Sequence, residues 1–149
     1  MWNSSKLWVA AALLSTGVAC NSSRYTTAGF RLPADGNAER GKQTFVQLGC
    51  ASCHKVSGVE LPAPTAQPVV PVLLGGTVDK KLSDAYLVTS MIDPSNQLAP
   101  YPKEQITSGG ASRMPHYADQ LTVRQMVDIV TFLQVNTTVR PPIPTYAYH

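Results

Sequence analysis

The pentapeptide Cys50-Ala51-Ser52-Cys53-His54 governs how the rest of the chain is read. Two thiols three positions apart are expected on neighbouring turns of a helix, and an imidazole follows at once. At this chain's usage of Cys and His, the spacing arises by accident in roughly one chain in a thousand. A zinc site reads worse, because four ligands are usual and the chain offers only three cysteines and three histidines, scattered along it. A thioredoxin-like pair needs a βαβ setting that the flanking sequence does not suggest. What demands these residue types at this spacing is covalent attachment of one c-type haem, with Cys50 and Cys53 forming thioethers to its vinyl groups and His54 turned toward the iron.

At 149 residues the chain reads as one domain with appendages, and 44% hydrophobic with 14% charged residues is ordinary for a globular protein. Such a core is small, so a buried porphyrin supplies much of its apolar contact surface. The formal charge of +3 is too modest and dispersed to argue for nucleic acid. At the start, Lys6 gives a thin basic end and Leu7 to Ala19 is a 13-residue apolar run, too short to span a bilayer comfortably. Residues 1–19 therefore read as an export signal, in keeping with a haem attachment that bacteria complete outside the cytoplasm. Cys20 closes the run Leu14-Ser15-Thr16-Gly17-Val18-Ala19-Cys20, which resembles a bacterial lipoprotein processing site. That resemblance implies a lipid on Cys20 and a place on the periplasmic side of a bacterial membrane. Gly17 stands where Leu is usual, and Gly17-Val18-Ala19 also fits an ordinary small-x-small cleavage site that would leave a soluble periplasmic protein with a free thiol.

Residues 20–36 are expected to form the anchor cysteine and a flexible tether. From Asn21 to Gly36 the chain is rich in Ser, Thr, Gly and Asn without helical periodicity, and fully extended it reaches at most about 55 Å. The alternative is packing on the domain through Phe30 and Leu32. Asn37 is placed to cap a first helix with Glu39 in its opening turn, and Gly41, Phe45 and Leu48 share one face. A glycine on a buried face costs helix propensity, so Gly41 predicts close contact with another helix. Ser57 to Gly76, dense in proline, reads as irregular loop. Ser83 caps a second helix bearing Tyr86, Val88 and Met91, with Leu82 placed to staple Leu87, and Tyr101 to Gly110 reads as another loop. Thr122 and Gln125 form a capping box ahead of Met126, Ile129, Val130 and Leu133, the strongest amphipathic pattern in the chain. The domain is expected over 37–135, followed by a Pro-rich tail over 136–149 whose Tyr146 and Tyr148 are available for docking.

Four stretches together carry a family resemblance: Asn37-Ala38-Glu39-Arg40-Gly41-Lys42 with Phe45, Gly49-Cys50 with Cys53-His54, Pro71-Val72-Leu73-Leu74-Gly75, and Arg113-Met114-Pro115-His116-Tyr117 with Leu121-Thr122. Over roughly residues 37 to 134 the chain resembles class I c-type cytochromes, the small mono-haem electron carriers. The resemblance implies an all-α fold of three main helices and loops wrapped around one covalently bound haem, with Ile129 and Phe132 crossing Gly41 and Phe45. It implies a hydrogen bond from the outer nitrogen of His54 to the Pro71 carbonyl, for which Pro68 competes, and Met114 as the second axial ligand opposite His54. Met91 and Met126, on apolar helix faces, and His116 are the rival ligands. Arg113 is placed to pair a haem propionate.

The function this implies is single-electron transfer between exported or membrane-bound redox proteins, with no small-molecule substrate and no enzymatic step. Lys55 and Arg113 are candidates for a positive rim that steers docking. Two other readings stand beside it: a fixed subunit of a respiratory or sulfur-compound-oxidising complex, and a haem enzyme or gas sensor with an open sixth position.

Overall fold

The computed structural model describes residues 30–63 and 71–142. Among these, four helices occur in the order α1 (Ala38–Gln47), α2 (Asp84–Ile92), α3 (Lys103–Ile106) and α4 (Val123–Val135). Three of them are substantial; α3 is a single turn. Local chemistry starts each long helix. The Asn37 side chain accepts a bond from the Arg40 N–H at 2.8 Å, Ser83 does the same for Tyr86 at 3.2 Å, and Thr122 and Gln125 close the reciprocal capping box on α4.

α1 and α4 form the central crossing. A side chain at Gly41 would bring its Cβ to 2.0 Å from the Asp128 carbonyl oxygen, so the two backbones meet where only hydrogen fits. One turn further along, Phe45 and Phe132 pack edge to face with centroids 5.7 Å apart. Leu87 and Met91 of α2 join Phe45, Val56, Ile129, Val130, Phe132 and Leu133 in one buried cluster. The crossing is the arrangement that the resemblance implies for these residues.

Three two-stranded ladders, each two or three residues long, tie the connections down: β1 (His54–Val56) with β2 (Val72–Leu74), β3 (Gly76–Val78) with β6 (Thr137–Val139), and the hairpin β4 (Thr107–Ser108) with β5 (Ala111–Ser112). The first two are parallel. They correct several expectations. The end of the proline-dense wrap is a strand rather than irregular loop, and 101–110 is a helical turn plus half a hairpin. The start of the tail is also a strand: Arg140 donates its backbone N–H to the Val78 carbonyl at 2.8 Å and pairs through its guanidinium with Asp79.

The tether reading likewise ends too late. Leu32 is half-buried against the core, its N–H donates to Asp84 at 3.2 Å, and Asp35 makes a bidentate pair with Arg124 at 3.0 and 3.1 Å. Phe30, by contrast, is exposed. The leader, Cys20, Pro68, Tyr146 and Tyr148 lie outside the described residues, among which no helix is long and apolar enough to cross a membrane.

One charge sits inside the crossing. The Asp128 side chain is 3% exposed and accepts from Arg40 Nε at 2.8 Å, Arg40 Nη2 at 3.1 Å and the Asn37 backbone N–H at 2.7 Å. These three bonds join α4 to the first turn of α1. The Arg40 guanidinium, aided by the Asn37 N–H and opposed by burial, holds the carboxyl below its ordinary value of 3.8. A carboxyl whose native pKa is depressed stabilises the fold fully above the unfolded value and loses that contribution as pH falls through the native one. Asp128→Asn is therefore expected to lower unfolding stability by roughly 2 kcal/mol at neutral pH. It should also flatten the decline of stability below about pH 4, read from urea midpoints over a pH series.

Candidate haem-binding site

α1 stops at Gln47, and Gly49 takes up a left-handed backbone with φ of 74°. That reversal breaks the helix before the attachment residues. Cys50–Ser52 then form a single 3-10 turn, closed by Ser52 N–H to Gly49 at 3.0 Å and Cys53 N–H to Cys50 at 3.1 Å, and His54 opens β1. The thiols are thus on a tight turn rather than on the α-helix that the spacing suggests, and the shorter repeat of this turn still brings residues three apart together. Cys50 is half-buried against the core, Cys53 is exposed, and neither is in a disulfide.

His54 faces Val72 across the β1–β2 ladder, and the Val72 N–H donates to the Cys53 carbonyl at 3.0 Å. Its ring lies 6.3 Å from that of Phe45, so the α1–α4 crossing is also the wall behind the imidazole. Burial pushes the His54 pKa below its ordinary value, against a smaller opposing effect of the Val72 main chain, which keeps the ring neutral with a lone pair to give. His54 Nδ1 is buried and has no hydrogen-bond partner among the described residues. Pro71 is exposed, one residue before β2, and Nδ1 makes no bond to its carbonyl.

Met114 arrives from the far side of the sequence on a strap held at both ends. Before it, Arg113 donates its N–H to Ile106 at 2.8 Å and the Met114 N–H goes to Ser112 Oγ at 3.1 Å, while Ser112 is itself bound to Ser95 Oγ at 3.0 Å. After it, the Tyr117 N–H reaches the Met91 carbonyl at 2.8 Å. Met114 is half-buried against the same core cluster as Cys50. Among the rivals, His116 is exposed, whereas Met91 is buried and Met126 half-buried as core filling. Arg113 and Lys55 are exposed.

Tyr117 belongs to the site although the sequence reading left it as part of a motif. It is 8% exposed, and its hydroxyl donates to the Leu48 carbonyl at 3.3 Å, beside Cys50. Burial raises the thiol pKa of Cys50, with its own backbone and then the Tyr117 hydroxyl opposing; burial likewise raises that of the phenol. The signal was an aromatic ring stranded in a polar loop, which predicts burial but not where.

The model of the Cytochrome c family matches residues 38–136, well over half the chain. The chain belongs to the cytochrome c family. No curated protein and no solved structure gives a significant match. Membership makes it a haem electron-transfer protein of the class I fold, in a family that binds haem c covalently.

The residues of this cytochrome fit such a group. Two reduced thiols are what thioether attachment to a porphyrin consumes, and a neutral imidazole and a soft thioether on a fixed strap are donors that a haem iron takes. Among the described residues, no three His, Cys, Asp or Glu side chains gather as a metal site of another kind. Replacing both Cys50 and Cys53 by Ala in the cytochrome is expected to abolish covalent attachment. The intact mass after maturation in a haem-attaching host then equals that of the processed polypeptide plus any lipid.

Proposed function

We propose that this cytochrome carries single electrons as a mono-haem protein, attached through Cys50 and Cys53 and ligated by His54 and Met114. The observation that carries the reading is the convergence of two distant segments on one core: the Met114 strap and the Cys50–His54 turn pack on the same buried cluster, and Tyr117 bridges them. When bound, haem c supplies the Fe(III)/Fe(II) couple, and a methionine opposite a histidine raises its potential.

The protein's part is to hold and insulate. Cys50 and Cys53 fasten the group, and His54 is oriented by its ladder and by Phe45. With the haem bound, its outer N–H would donate to the Pro71 carbonyl, a bond that Nδ1 does not make in this structure. Met114 would supply the second protein ligand to the iron, which would leave no open position there for a substrate. The exposed cations Lys55 and Arg113 steer a partner of opposite charge toward the haem. Both partners are redox proteins, one donor and one acceptor, at the periplasmic side of a bacterial membrane to which a lipid on Cys20 tethers the domain.

Two experiments test this reading. Met114→Ala is expected to remove the long-wavelength iron–sulfur absorption of the oxidised protein and to let the ferrous form bind carbon monoxide promptly; an unchanged band moves the ligand to another residue. Cys20→Ser is expected to shift the holoprotein from the membrane fraction to the soluble periplasm, and a variant that stays with membranes removes the anchor.

A further inference from the structure

The carbonyls at the end of a helix have no partner within it and must find one elsewhere. Two such carbonyls matter here, Leu48 at the end of α1 and Met91 in the last turn of α2. A single residue answers both. Tyr117 donates its backbone N–H to Met91 at 2.8 Å and its hydroxyl to Leu48 at 3.3 Å. Its own carbonyl accepts from Gln120 and Leu121 at 3.0 and 3.1 Å, which fixes the turn that leads into α4.

Tyr117 stands three residues after Met114 and Leu48 two residues before Cys50, so the hydroxyl bond spans the short gap between strap and attachment turn. The bond joins residues 69 positions apart. On the other side of Met114, the strap is held by Ile106 and Ser112, both of the α3–hairpin unit. Without the hydroxyl, the strap keeps its hydrogen bonds to that unit and to α2 and its packing on the core, but loses its hydrogen bond to the segment that leads into Cys50.

We propose that the Tyr117 hydroxyl is the tie that holds the Met114 strap against the attachment turn and so governs how readily Met114 is displaced from the iron. Tyr117 acts through Met114 and is a positioning residue; it touches Leu48 and the neighbourhood of Cys50. The inference rests on the reading of His54 and Met114 as the axial pair.

The test uses the mature holoprotein and its Tyr117→Phe variant, which keeps the ring and removes only the hydroxyl. Oxidised protein is mixed with imidazole, and loss of the iron–sulfur band is followed in time. The variant is expected to exchange roughly three to ten times faster, the factor for one lost neutral hydrogen bond. Ser83→Ala, which removes the cap of α2 at the end away from Met91, serves as the comparison and is expected to exchange at the wild-type rate despite its lower stability. An unchanged rate in Tyr117→Phe overturns the proposal, and so does an equal acceleration in Ser83→Ala, since exchange then follows general loosening of the fold. Should the wild-type protein lack the iron–sulfur band, the axial assignment falls and this inference with it, an outcome distinct from a normal band with an unmoved rate.

Discussion

Everything in this domain depends on how closely α1 approaches α4. Gly41 lets the backbones touch at Asp128, and that contact sets the spacing at which Phe45 meets Phe132. Phe45 in turn is the wall on which the His54 ring rests. A wider crossing would move Phe45 away from the imidazole, and the attachment turn with it. The buried carboxylate of Asp128 fixes the same contact by a different force: three directed bonds to the start of α1 set the rotation of one helix on the other, which apolar packing alone specifies less sharply.

The helices were legible because each announces itself locally. Asn37, Ser83 and Thr122 are caps whose partners lie three residues away, and the apolar positions of α4 recur at helical spacing. The crossing was legible too, since a glycine beside a phenylalanine at helical spacing has few other uses. The ladders were not. Val72–Leu74 pairs with His54–Val56, and Gly76–Val78 with Thr137–Val139, across gaps far longer than any local pattern. Three residues are also too few to show alternation. Asp128 was hidden for a related reason: an acid among Met126, Ile129 and Val130 reads as the solvent side of the helix until its partner on α1 is known.

The site divides in the same way. Cys50, Cys53 and His54 stand out by spacing, yet their backbone was misjudged, because a motif that tolerates any helical repeat does not report the left-handed Gly49 that ends α1 first. Met114 came from resemblance and not from physics, for nothing in a Met-Pro pair says what the thioether faces. Pro71 came from resemblance in the same way: it stands one residue before β2, and the ladder puts Val72 opposite His54.

An electron carrier has to change charge without changing shape, and the fold meets that demand with little material. Eleven apolar residues are buried among the described ones, a small core on which to hold a haem site in place. What it uses instead are carbonyls that helices leave unpaired. Leu48 and Met91, at two different helix ends, both accept from Tyr117, and Gly76 donates its N–H to Asn136 just past the end of α4 at 2.8 Å. Each of these bonds satisfies a group that would otherwise need water and pins a connecting segment to a helix. The segment before the attachment turn, the methionine strap and the β2–β3 wrap are therefore each tied to a helix end. A site assembled from helix ends in this way keeps its ligands still with few residues to spare.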